Sequence, residues 1–136
     1  MSSTHPSLSS AEQNKQLLLR WFDEVWNQGR RETVFELFAP DGVLHEGGQQ
    51  IRGPEEFCRS IYDQFLAQFS EFHFTPLLVL SEGDLAAIHW SAEFRHTETS
   101  KPLTLTGTTV VRIANGRFVE GWQNWDAAGL AAQLSA

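Results

Sequence analysis

Apolar residues recur at three- and four-residue steps early in the chain. Leu18, Phe22, Val25 and Trp26 fall on one stripe, which predicts an amphipathic helix. Ser9 with Glu12, or Ser10 with Gln13, offers a capping box at its start, and Gly29 a stop at its end. A shorter helix follows, with Val34, Leu37 and Phe38 on its apolar side, ending before Pro40. Val43–Glu46 predicts a short strand, Gly47-Gly48 its turn, and residues 50–52 the return strand. The next helix opens on Pro54, with Glu55 and Glu56 at the positive end of its dipole. Phe57, Ile61, Phe65 and Phe69 repeat along it at four-residue intervals, a stripe that predicts packing against a sheet.

From Phe72 the period changes to two. Phe72–Leu80 predicts a strand, and Glu82-Gly83-Asp84 its turn. Ala86, Ile88, Trp90, Ala92 and Phe94 alternate with polar neighbours, so one face of the next strand is buried. Leu103–Ile113 is rich in Thr and Val, as strands are. Asn115-Gly116 signals a type I′ hairpin, with Arg117–Asp126 as its antiparallel partner and a helical turn over 127–134. Helices first and a strand meander afterwards predict an α+β domain. Its curved, mostly antiparallel sheet wraps around the N-terminal helices as a cone-shaped barrel, leaving a pocket between the two layers.

The chain of 136 residues fits one domain: residues 11–136 read as that unit, and residues 1–10 as a disordered, Ser-rich tail. Ten Phe and five Trp are a heavy aromatic load that either fills a core or lines a cavity. A net charge of −7 provides no basic stripe for nucleic acid or an anionic membrane surface, so neither is expected as a partner. No apolar run approaches the ~20 residues of a membrane span, and the first residues lack the pattern of a secretory signal. The lone Cys58 sits among helix-facing apolar residues and reads as a buried structural thiol, consistent with a cytoplasmic location. No His-Glu-x-x-His, Cys pair or acidic cluster has metal-ligand spacing, so no metal is expected.

Five segments carry a family resemblance: Trp21 to Gly29, Leu37 to His45, Arg52 to Phe57, Ser81 to Asp84, and Asn115 to Asp126. In this order and spacing they resemble the SnoaL-like polyketide cyclases of the nuclear transport factor two-like superfamily. The resemblance implies an often dimeric cone with a ligand cavity and neither metal nor organic cofactor. It also implies an acid/base carboxylate at the end of the last strand, matched by Asp126, and a cavity-facing His after the second helix, matched by His45. The Arg-x-Asp pair of the related epoxide hydrolases is missing. So is the Tyr and paired Asp arrangement of ketosteroid isomerases, because Tyr62 sits on the wrong helix.

Strand alternation places Trp122, Asn124 and Asp126 on one face and Gln123 and Trp125 on the other. If the first face lines the cone, Trp122 strips water from Asp126 and raises its pKa toward the range useful for proton transfer, with Asn124 orienting it or holding a carbonyl. The competing role for Asp126 is an N-cap for the segment 127–134. His45 either moves a proton or ties a loop to the sheet. His96 belongs at the cavity rim, His73 and His89 face outward, and Phe22, Trp26 and Trp90 shape the pocket. Two functions remain open at this point. One is a cofactor-independent cyclase- or isomerase-like enzyme acting on a small, apolar carbonyl compound through Asp126 and His45. The other is a non-catalytic ligand-binding or dimerisation module. A homodimer through the outer sheet face is expected in either case.

Overall fold

The computed structural model describes residues 10–136; residues 1–9 of the expected tail, and with them the Ser9 half of the capping box, lie outside the described residues, while Ser10 opens the first helix. Helix α1 (Ser10–Trp21) buries Leu18 and Trp21 and runs on as a π-helical segment, Phe22–Asn27, that buries Phe22, Val25 and Trp26. The wider turn lets the Asn27 side chain clamp the backbone of Phe74, donating to its carbonyl at 3.0 Å and accepting from its N–H at 2.6 Å. Helix α2 (Glu32–Leu37) is short. Phe38, expected on its apolar side, is instead extended and opens strand β1 (Phe38–Glu46), as the approach to Pro40 favours. Gly47 and Gly48, both at positive φ, turn the chain into β2 (Gln49–Arg52).

The Phe57 stripe is a composite helix: α3 (Gly53–Phe57), a π-helical segment Cys58–Tyr62, and α4 (Asp63–Gln68). Phe57, Cys58, Ile61 and Tyr62 are buried, the last donating its hydroxyl to the Val25 carbonyl at 2.9 Å. Phe69 is buried too, but it is the first residue of β3 (Phe69–Glu82) and not the last of the helix. Strands β4 (Leu85–His96), β5 (Pro102–Ala114) and β6 (Arg117–Trp125) complete the meander, and α5 (Ala127–Ser135) closes the chain. The β5–β6 turn has both Asn115 and Gly116 at positive φ, the geometry a type I′ turn demands.

The six strands form one open sheet in the order β2-β1-β6-β5-β4-β3, with β1 and β6 parallel and every other pair antiparallel. Edge strand β3 carries two extra residues relative to β4, near Glu71 (φ 58) and at Leu77, and such bulges curl a strand. The concave face then meets the helices through tilted and edge-on rings: Phe22 lies 5.9 Å from Trp90, and Phe65 lies 6.5 Å from Phe94 and 5.9 Å from Trp125. The fold is thus the α+β arrangement expected, a curved sheet over N-terminal helices.

Candidate functional site

Strand β5 turns Leu103, Leu105, Gly107, Thr109, Val111 and Ile113 inward without interruption. Its partner β6 does not alternate so simply. Ile113 pairs with Phe118, but Arg112 pairs with Glu120, leaving Val119 as an extra, unpaired residue. This bulge inverts the parity beyond it. Gly121, Gln123 and Trp125 lie opposite Val111, Thr109 and Gly107 and face inward, while Trp122 and Asn124 face out. The expectation that Trp122, Asn124 and Asp126 line the cone is therefore corrected. The parallel neighbour β1 follows the same register: Glu46 pairs with Gln123 and faces inward, and His45 pairs with Trp122 and faces outward.

Inside the cone, rings of Phe22, Trp26, Phe65, Phe74 and Trp90 enclose a small chamber of ≈30 Å³, with Glu46, Gln123 and Trp125 on its sheet side. The same three residues also line an open depression of ≈290 Å³ toward the surface. Glu46 thus stands where an aromatic interior meets solvent. A second, largely apolar void of ≈30 Å³ lies between Leu18, Trp21 and Phe57 on the helices and Val111 and Gly121 on the sheet, and Thr109, Glu120 and Gln123 also border it.

A polar chain crosses this apolar ground. The Trp90 indole N–H donates to Thr109 Oγ1 at 3.1 Å, Thr109 Oγ1 to Gln123 Oε1 at 2.5 Å, and Gln123 Nε2 to Glu46 Oε1 at 3.0 Å. Burial pushes the Glu46 carboxyl above the usual glutamate range, against the opposing pull of hydrogen bonds from Gln123 and Trp125. Glu46 is the one titratable side chain on the chamber wall among the described residues. Chemically the arrangement presents an aromatic slot for a flat or apolar ligand and one recessed carboxyl able to exchange a proton with it.

The residues singled out from sequence divide between two places. Phe22, Trp26 and Trp90 line the chamber. Asn124 reaches only the outer rim. His45 points away from the chamber: its Nε2 lies 2.8 Å from Glu120, and its ring stacks on Trp122 at 5.7 Å. His96 sits at the far end of β4 against Phe69, its Nδ1 3.0 Å from Thr99 Oγ1. Asp126 is exposed and caps α5, its Oδ1 accepting from the Gly129 N–H at 2.9 Å. Of its two weighed roles, the cap is the one its surroundings show. Glu46, Gln123, Thr109 and Trp125 were missed. The available signal was the shared parity of Leu44 and Glu46, which puts a carboxyl in line with a core leucine. Among the described residues no group of His, Cys, Asp or Glu is arranged to hold a metal ion.

A curved sheet closed by helices around an aromatic chamber with one recessed carboxyl defines a small-molecule-binding, enzyme-like domain. The chain belongs to the SnoaL-like domain family, whose sequence model matches residues 18–121. No curated protein matches it. Among solved structures it is similar to IdmH from Streptomyces antibioticus, described as a proposed polyketide cyclase, at 26% identity and TM-score 0.80, over 91% of this chain and 99% of that one. A proposed SnoaL-like polyketide cyclase from Jannaschia sp. CCS1 shares the fold at 20% identity and TM-score 0.85, over 97% and 98% of the two chains. An epoxide hydrolase from M. tuberculosis also shares it, at 12% identity and TM-score 0.77, over 93% and 92%. No helix among the described residues is long and apolar enough to cross a membrane.

Proposed function

We propose that this domain is an acid/base enzyme acting on a small, largely apolar carbonyl compound, with Glu46 as the proton-transfer group. One observation carries the reading: among the described residues, the only titratable side chain on the aromatic chamber wall is a carboxyl whose proton affinity burial has raised. In the step envisaged, Glu46 takes a proton from the carbon beside the carbonyl, and the bonding pair moves onto oxygen as an enolate. The same carboxyl then returns the proton, at the original or another carbon, or the enolate carbon attacks a second carbonyl and Glu46 protonates the resulting alkoxide. A raised carboxyl suits both halves of such a cycle near neutral pH. The chamber is tight, so a ring-sized ligand enters by displacing Phe65 and Trp125, both of which are only partly buried.

The test is proton exchange in heavy water with a panel of small aryl ketones and 1,3-diketones. Wild-type protein should accelerate deuterium uptake at the carbon next to the carbonyl, and Glu46→Gln should remove the acceleration. Equal rates in both proteins count against the enzyme reading. A binder without turnover is the second reading, favoured by the commitment of Asp126 to the α5 cap. It predicts ketone binding with no exchange in either protein.

A homodimer through the outer sheet face belongs to the same proposal. Leu78 and Leu80 are more than half exposed there, at 57% and 58%, beside Val110 and Ala87 on the same face. Burial of such a patch is a common basis of association. Sedimentation equilibrium at micromolar concentration should give twice the chain mass, and a monomer removes the idea.

A further inference from the structure

We infer that Trp90, Thr109 and Gln123 are positioning residues that hold Glu46 poised to accept a proton, because the chain they form runs in one direction and ends on an N–H aimed at the carboxyl. The inference rests on the reading of Glu46 as the proton-transfer group. An indole N–H can only donate, so Thr109 Oγ1 must accept from Trp90 at 3.1 Å. The single hydroxyl proton of Thr109 is then directed to Gln123 Oε1 at 2.5 Å. With its carbonyl taken, Gln123 turns its NH₂ group to Glu46 Oε1 at 3.0 Å.

The flipped amide fits worse. It leaves the Thr109 proton without a partner in buried surroundings, and it turns a carbonyl oxygen toward Glu46, which only a protonated carboxyl tolerates. Thr109 and Trp90 are 5% and 2% exposed, so water does not readily substitute for either partner. Gly107 supports the same design independently. A Cβ at this position falls 2.4 Å from Trp90 Cζ2, so only glycine lets the indole lie across β5.

The groups packed around Glu46 leave few rivals for this control. The chamber wall contributes no second titratable side chain among the described residues, and Trp125 from β6 adds only a donor. His45, next in sequence, faces the other side of the sheet and is engaged by Glu120. An N–H donor to the carboxylate favours its charged form, so the resting site is a base opposed by burial rather than a stored acid. Thr109, which does not touch Glu46, sets this by choosing the orientation of the amide.

The test is a titration of the carbon-13-labelled Glu46 carboxyl in ligand-free protein carrying Thr109→Val or Thr109→Ser. Valine keeps the shape and loses the hydroxyl, so both amide orientations become available and the protonated form gains. At a fixed pH inside the transition, the ratio of protonated to charged carboxyl should rise on the order of tenfold, the scale of one hydrogen bond to a charged group. Serine restores the hydroxyl and should restore the wild-type midpoint. An unchanged midpoint in Thr109→Val overturns the inference, as does an equal rise in Thr109→Ser. If Thr109→Val does not fold, Trp90→Phe should move the midpoint in the same direction, and no movement there also overturns it. The functional reading fails differently, through proton exchange that survives Glu46→Gln while Thr109→Val still shifts the titration.

Discussion

The two faces of strands β1 and β6 carry similar chemistry in opposite settings. Outside, His45 pairs with Glu120 at 2.8 Å, Arg112 approaches Glu120 at 3.9 Å and Asp84 at 3.1 Å, and Trp122 stacks on the imidazole. Each of these polar groups has a partner and partial contact with water, so the cluster is an ordinary surface network of small net worth. Inside, one residue further along each strand, Glu46 meets neutral donors and aromatic walls, with no ion-pair partner among the described residues. A carboxyl in that setting is costly to ionise and useful for moving protons. Residue type does not separate the two faces; on β6 a single extra residue at Val119 decides which face each side chain beyond it meets, and β1 is matched to it through its own irregularity between Phe38 and Val43.

Deletion of Val119 is the strongest way to break that difference. Without the bulge, β6 must either turn Trp122 and Asn124 inward or lose its pairing with β1, and one-residue slips reverse every side chain. We expect a loss beyond about 4 kcal/mol, a large share of the stability of a domain of this size. A native-like urea transition in the deletion variant contradicts the assignment of faces. Next in size is a pair of tryptophan truncations. Trp90→Ala, on the inner face with 2% exposure, should cost ~3–5 kcal/mol, whereas Trp122→Ala on the outer face should cost under about 1 kcal/mol. Equal losses in urea unfolding remove the contrast.

Much of the fold was legible because its signals are local. The period-two run from Ala86 to Phe94, the Asn115-Gly116 turn and the Phe57–Ile61 stripe each declare an element within a few residues. The inward set of β4 followed directly from that alternation. The site was less legible because its parity depends on pairing between strands. Nothing in Phe118-Val119-Glu120 marks a bulge, and alternation counted from Phe118 necessarily places Gln123 on the wrong side. Likewise the short strand β1 has apolar residues on both parities, Val43 and Leu44, so the parity that Glu46 shares with Leu44 is an ambiguous signal until the parallel register with β6 is known. Asp126 lies just past β6, where alternation no longer applies and helix capping does.

A pH series sharpens the comparison at smaller amplitude. Burial holds the folded Glu46 carboxyl above its unfolded value. Its contribution to stability is therefore fully present below the unfolded pKa of about 4.3 and is lost as pH rises through the folded pKa. The stability of wild type relative to Glu46→Gln should fall across that window, as read from urea unfolding at a series of pH values. A difference that grows with pH has the wrong sign for a desolvated carboxyl. The smallest effect belongs to Asp126. Asp126→Ala should cost ~0.5–2 kcal/mol as a lost cap, Asp126→Asn a few tenths at most, and neither should slow ketone deuteration. Loss of deuteration in Asp126→Asn with unchanged stability restores Asp126 as the proton-transfer group.

The most direct test of an inward, desolvated carboxyl is the carbon-13 titration of Glu46 in the unmodified, ligand-free protein. Burial in the aromatic chamber predicts a midpoint above the ordinary glutamate value of about 4.3. A midpoint at or below that value contradicts the assignment of Glu46 as the acid/base group.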